Sequence, residues 1–221
     1  MTEQQKAFEE VLDVFNEKKL IPYIMIIGTW AEYLYQECIY NNFTANLKTR
    51  DVDILYTNIR KPNVTASIGI KSALAEKGFM YKEDVVTNVG KLVKEDLLEI
   101  EFITRSLRYK SEIYHIPALG INAVGLLDAK ILAKYPTKVN YMGKTVVVPE
   151  PEAYVLQKLL INSTRKIDKQ EKDIASVENL AHYINKNRLF ELRKNLTNKE
   201  KVKVEATIAK YALEKLLEAY D

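Results

Sequence analysis

The run I-M-I-I-G-T-W-A-E-Y-L-Y-Q-E-C, residues 24–38, followed at a short polar interval by T-R-D-V-D-I-L, residues 49–55, decides the fold. Tyr23 to Ile27 is a short apolar run rich in β-branched residues, and Gly28 breaks it, which predicts a buried strand ending at a turn. Thr29 then reads as an N-cap, and Ala31, Leu34, Tyr35 and Cys38 recur at helical spacing, predicting a helix over 29–40. A chain that leaves a strand, turns at a glycine and enters a helix presents unpaired amides at the helix start. Those amides and the helix dipole attract anions, phosphate above all.

The second run predicts a strand over Asp51–Tyr56. Side chains alternate along a strand, so Asp51 and Asp53 share one face while Val52 and Ile54 enter the core. Two carboxylates on one rigid face repel each other unless a cation stands between them. Hard divalent ions, Mg²⁺ or Mn²⁺, take oxygen ligands and suit that arrangement. A phosphate cradle close in sequence to a carboxylate pair points to metal-assisted phosphoryl or nucleotidyl transfer.

The strand–Gly28-Thr29–helix unit followed by Asp51-Val52-Asp53 resembles the core motif of the polymerase-β-like nucleotidyltransferase superfamily. The longer wording G-T-W-A-E-Y-L-Y…T-R-D-V-D-I-L is similar to a bacterial group of nucleotidyltransferase-like proteins related to the abortive-infection AbiEii toxins. The resemblance implies an α/β (α+β) fold with a mixed sheet, flanking helices and a C-terminal helical domain. It implies transfer of a nucleoside monophosphate from an NTP to an acceptor hydroxyl on RNA (a tRNA end), a protein or a small molecule. Asp51 and Asp53 would hold Mg²⁺ or Mn²⁺, and Gly28 and Thr29 would meet the nucleotide's phosphates. A nucleotide- or partner-binding module without turnover is the alternative, and an antitoxin is a partner the toxin relationship implies.

Outward from this centre, Thr2 and Gln5 predict a capping box for a first helix with an apolar stripe of Phe8, Val11, Leu12 and Phe15. Asn41 to Lys48 is a polar connector near the site. Ala66 to Lys77 reads as a helix closed by Gly78. Three extended segments follow, Phe79–Val86, Val89–Lys94 and Leu97–Thr104. In the last, Leu98, Ile100 and Phe102 share one face, and Glu99 and Glu101 the other. The superfamily places a third carboxylate on a later strand, and I-E-F-I-T resembles the related group's wording there. The resemblance therefore implies that Glu101 joins Asp51 and Asp53 in the metal and catalytic set, with Glu99 the alternative. Arg50, just before the pair, is a candidate phosphate contact or a structural ion pair.

Residues 106–149 are punctuated by glycine and proline and predict short strands, Thr145–Val148 the clearest. Pro149 and Pro151 mark a boundary, giving a nucleotidyltransferase-fold domain over 1–148 and a helical domain over 149–221. The helices are predicted over Glu152–Thr164, Gln170–Asn185, Arg188–Lys194 and onward from Asn198, with Thr197 and Glu200 another capping box. From Lys158 to Lys203 there are twelve Lys and Arg against six Asp and Glu, a net of +6 within a chain whose total is +3. Solvated helix surface is the plain reading of that run. Lys158 and Arg165 lie seven apart, which on a continuous helix is one face, and Lys169, Lys172 and Asp173 follow. The related group carries a Lys, an Arg and a Lys-Asp in this order. The resemblance implies that Lys158, Arg165 and Lys172 face the nucleotide.

With 221 residues and one cysteine, Cys38, the chain can bury a proper core but forms no internal disulfide. His115 and His182 are the only histidines, so a zinc site is not expected. No apolar run approaches the roughly 18 residues that span a bilayer, and the polar N-terminus is unlike a signal peptide. The expectation is a cytoplasmic protein with no membrane partner.

Overall fold

The structure is a computed structural model that describes residues 1–47, 49–57, 68–106, 112–126 and 129–218. Helix α1 (Glu3–Glu17) opens with the expected capping box, Gln5 N donating to Thr2 Oγ1 at 3.2 Å and Thr2 N to Gln5 Oε1 at 2.8 Å. Its stripe of Phe8, Val11, Leu12 and Phe15 is wholly buried. A short 3-10 turn, Ile21–Tyr23, leads into β1 (Ile24–Ile27) and helix α2 (Thr29–Cys38). Then come β2 (Asp51–Tyr56), α3 (Ile70–Ala75), β3 (Met80–Glu83), β4 (Gly90–Lys94), β5 (Leu98–Arg105), β6 (Glu112–Ile116), β7 (Ile121–Leu126), α4 (Lys130–Lys134) and the hairpin β8 (Pro136–Tyr141) and β9 (Lys144–Pro149).

Among the described residues the first seven strands form one mixed sheet in the path β1-β2-β5-β4-β3, with β7 joining the far end of β5 and β6 outside it. β5 is the hub. It runs parallel to β2 and β7 and antiparallel to β4. Its alternation is the expected one: Leu98, Ile100 and Phe102 are buried, Phe102 against Phe15 of α1, while Glu99 and Glu101 look to the opposite face. On β2, Val52 and Ile54 are likewise buried with no exposed surface. One face of the sheet is thus core, and the other carries carboxylates.

After Pro149 the chain is helical: α5 (Pro151–Ile161), α6 (Ile167–Ala181), α7 (Lys186–Lys194), α8 (Asn198–Lys210) and α9 (Glu214–Leu217). α5 is the axis, packed by α4, α6, α7 and α8, and most of its residues are buried. Buried side chains from Ala7 to Leu217 belong to one continuous cluster. Tyr35 of α2 ties the halves by donating its buried hydroxyl to Pro149 O at 2.9 Å. The expected helix over 66–77 is shorter, and residues 66 and 67 lie outside the described residues. No helix among the described residues is long and apolar enough to cross a membrane.

Two expectations are corrected. Thr29 is the first helical residue of α2, and Gly28 is its N-cap. The helix predicted over Glu152–Thr164 ends at Ile161, where Asn162 to Thr164 tighten into a 3-10 turn and Arg165 becomes extended. Asn162 explains the break: it is buried and donates its carboxamide to Gln170 O at 3.0 Å, turning the chain into α6. Lys158 and Arg165 therefore do not share a helix face.

Candidate active site

The parallel register of β2 and β5 sets Glu101 beside Asp53 and Glu99 beside Asp51. Register partners in a sheet point to the same side, so four carboxylates share one face over two rungs. Asp53 is the innermost of them. Burial pushes its pKa up to about 7, with the Glu101 and Asp51 charges adding to the rise, while Arg165 and Lys169 hold it back. β4 brings a cation to the other flank of Glu101, its register partner Lys91. The Lys91 ammonium pairs with Glu101 and lies 3.5 Å from Glu99 Oε2.

Gly28 meets the same carboxylate from β1. It sits at φ +67°, ψ −155°, a conformation in which glycine alone is unstrained. A Cβ there would stand 2.6 Å from Asp53 Oδ2. The turn is closed down onto Asp53, and the start of α2 opens beside it without a side-chain cap. An anion bound there would complete the helix end.

The helical half supplies a second wall. Asp173 of α6, buried, receives Lys158 Nζ from α5 at 3.0 Å and lies 3.3 Å from Arg165 Nε. Lys158 also stands 4.0 Å from Glu32, and Glu32 accepts the Tyr154 hydroxyl at 2.7 Å. Lys158 is thus paired inside the protein, whereas Arg165, beside Asp173, keeps 37% of its side chain exposed. Two cavities flank the start of α2. One, of about 370 Å³, is lined by Gly28, Asp53, Gln157, Lys158, Arg165 and Asp173 with apolar walls from Ile103, Leu132 and Ile161. The other, of about 450 Å³, is lined by Thr29, Glu32, Asn46, Thr49, Lys172 and Ser176 among others.

A family model for nucleotidyltransferases matches residues 7–200 of the chain. The chain belongs to this nucleotidyltransferase family. Its solved neighbours agree in fold. A crystal structure of an antigenic nucleotidyltransferase-like protein from Paracoccidioides brasiliensis has a TM-score of 0.55 at 15% identity, over 95% of this chain and 92% of that one. ANT(2″)-Ia in complex with adenylyl-2″-tobramycin has a TM-score of 0.50 at 13% identity, over 95% of this chain and 99% of that one. No curated protein matches the chain in sequence.

Within the chain the predicted site residues divide into groups. Gly28, Asp53, Lys158 and Arg165 meet at the first cavity, Thr29 and Lys172 at the second, and Asp51, Asp53, Glu99 and Glu101 on the sheet face. Arg50 lines neither cavity; its Nη1 takes the exposed Asp96 Oδ1 at 3.2 Å. Trp30 is fully buried and packs on Phe8 with ring centroids 4.2 Å apart, and His115 Nδ1 pairs with Asn122 Oδ1 at 2.9 Å. Lys91 and Gln157 escaped the sequence reading. Gln157 is 6% exposed, lines the first cavity, and its Oε1 has no hydrogen-bond partner among the described residues. Neither had a local signal, because Lys91 matters only through its strand partner and Gln157 only through the cavity.

Among the described residues no three His, Cys, Asp or Glu side chains are gathered into a metal-holding group. The chemistry of Asp51 and Asp53 nonetheless fits a hard divalent ion: the donors are all oxygen and like-charged, and Asp53 is driven toward protonation by its burial and by the neighbouring carboxylates. A bound cation would relieve that repulsion.

Proposed function

We propose that the chain is a metal-dependent enzyme that moves a nucleoside monophosphate from an NTP to an acceptor hydroxyl. The observation that carries this reading is the register of β2 and β5, which stands Glu101 next to Asp53 beneath the Gly28 turn. Asp51 and Asp53 hold Mg²⁺ or Mn²⁺, which when bound neutralises phosphate oxygens and makes the α-phosphorus a better electrophile. The start of α2, with Gly28 and Thr29, receives the phosphates. Arg165 and Lys172, one at each cavity, attract the same anion. Glu101 accepts the proton of the attacking hydroxyl. Lys158 keeps Asp173 and Glu32 in place rather than meeting the nucleotide directly, because its ammonium is engaged within the wall. Arg50 remains a candidate phosphate contact only if it leaves Asp96.

The helices from residue 149 onward form the second half of the cleft, with the division at 148/149 as the proposed domain boundary. The first cavity, whose apolar walls of Ile103, Leu132 and Ile161 stand beside charged groups and the unpaired carboxamide oxygen of Gln157, suits a small-molecule acceptor better than an RNA end or a protein chain. The likeness to AbiEii-type toxins rests on the wording of residues 28–35 and 49–55, and it is the reason to seek an antitoxin partner. A nucleotide-binding module without turnover is the second reading, favoured by the Lys91 pair that engages Glu101.

Incubation with each labelled NTP, Mg²⁺ or Mn²⁺, and panels of RNA and small hydroxyl-bearing acceptors tests the proposal. Label transfer that Asp53→Asn abolishes is the expected result. Nucleotide binding without transfer to any acceptor class would favour the second reading.

A further inference from the structure

The two aspartates of β2 are held unequally. Asp53 is fixed by its surroundings, with Glu101 its partner on β5 and the Gly28 turn closed down onto Oδ2. Asp51, the first residue of β2, is exposed, and an exposed carboxylate turns readily about its last torsion. The hydrogen bond it receives among the described residues comes from Thr49, whose Oγ1 donates to Asp51 Oδ2 at 3.2 Å. The direction of that bond is set locally. Asp51 N donates to the same Oγ1 at 3.1 Å, so the hydroxyl keeps its own proton for Oδ2. Thr49 is in turn tied from a distance, because Gln4 Nε2 of α1 donates to its carbonyl oxygen at 2.7 Å. The same residue lines the second cavity together with Thr29.

We propose that Thr49 is a positioning residue whose hydroxyl holds the Asp51 carboxylate in one orientation and leaves Oδ1 to a divalent ion. The inference rests on the reading that Asp51 and Asp53 hold a cation. It adds the residue that prepares the exposed member of the pair. Two effects of the hydroxyl oppose each other. A hydrogen-bond donor draws some charge from the carboxylate, which by itself would weaken its hold on a cation. Against that, a ligand already oriented loses less freedom when the ion arrives, and the hydrogen-bonding partners of metal-ligating carboxylates are commonly worth about tenfold or more in affinity. The orienting effect is the larger here, because the donor is neutral and Asp51 is exposed.

Titration of the metal-free protein with Mn²⁺, followed by electron paramagnetic resonance of the free ion, tests this without nucleotide or turnover. The variants are Thr49→Val, Thr49→Ala and Thr49→Ser, with Asp53→Asn as the control that loses a ligand. Circular dichroism and melting confirm that each variant folds, and the two variants without a hydroxyl guard against a defect of either one. Thr49→Val and Thr49→Ala should bind Mn²⁺ at least about tenfold more weakly than the wild type, while Thr49→Ser, which keeps the hydroxyl, should stay within about threefold of it. Valine and alanine variants that bind as tightly as the wild type, or a serine variant as weak as they are, would overturn the role of Thr49 and leave the Asp51–Asp53 assignment standing. No Mn²⁺ bound by the wild type would overturn that assignment, and this inference with it.

Discussion

On the sheet, Asp51, Asp53, Glu99 and Glu101 share one face, and burial, with the Glu101 and Asp51 charges beside it, pushes Asp53 up to about 7, whereas across the first cavity the single carboxylate of Asp173 is held by both Lys158 and Arg165. Like charges left in repulsion store an interaction energy that an incoming cation releases. A buried pair such as Lys158 with Asp173 releases little to a ligand, but removing one member strands the other. The contrast separates a face of like charges, of which Asp53 reaches the first cavity, from a wall of opposite charges already paired across it.

The largest expected effect breaks the wall. Asp173→Ala leaves Lys158 and Arg165 without their shared partner and should cost about 3–5 kcal/mol of stability, lowering the melting temperature by roughly 10 °C in a chain of this length. Calorimetry checks it. A loss of activity with an unchanged melting temperature would show that the wall acts on substrate instead.

The face should respond in the opposite sense. Asp53→Asn should lose at least about a hundredfold in transfer rate, ~3 kcal/mol, yet gain stability when metal-free at neutral and higher pH. With its pKa at about 7 in the fold and ~3.9 unfolded, Asp53 keeps a proton in the folded state that the unfolded chain releases. Wild-type stability therefore falls as pH rises from about 4 to 7, and the asparagine variant should lack that fall. Parallel melting profiles for the two proteins across this range would remove the crowding argument.

A smaller effect sharpens the comparison at the join. Gly28→Ala should cost about 1–3 kcal/mol, from backbone strain and from the approach to Asp53 Oδ2. In an Asp53→Ala background the contact is gone, and part of that cost, on the order of 0.5 kcal/mol or more, should be recovered as coupling. Strict additivity would mean that the turn does not close on the carboxylate.

The smallest effects belong to exposed cations. Lys172→Ala and Lys199→Ala should each change stability by no more than about 0.5 kcal/mol. Only the former, which lines the second cavity, should weaken nucleotide binding, and the loss should shrink as salt screens the charge. Equal losses at both positions would mean a diffuse basic surface with no second phosphate contact.

Much of the architecture was legible where its cause is local. Thr2 and Gln5, and Thr197 and Glu200, form their capping boxes within four residues, and the alternation of β2 and β5 can be read from each strand alone. The misreadings arose where a distant group decided. Thr29 has the usual chemistry of a cap, but Gly28 takes that place because the chain must turn over Asp53. The helix after Pro151 has no sequence break at Ile161, and it ends there because Asn162 finds Gln170.

By itself, the sequence determined which side of each strand carries carboxylates, that a glycine turn feeds a helix beside them, and that the last third is helical. These follow from periods of two and 3.6 residues and from short-range capping, which need no partner. The tertiary structure alone decided that Glu101 rather than Glu99 stands beside Asp53, that Lys91 answers it from β4, and that Asp173 gathers Lys158 and Arg165 from two different segments. Alternation says which face a residue occupies but not which rung it shares with a strand some fifty residues away. That choice is made when the buried faces of β2, β4 and β5 pack together, because a slip of one residue would turn every carboxylate into the core.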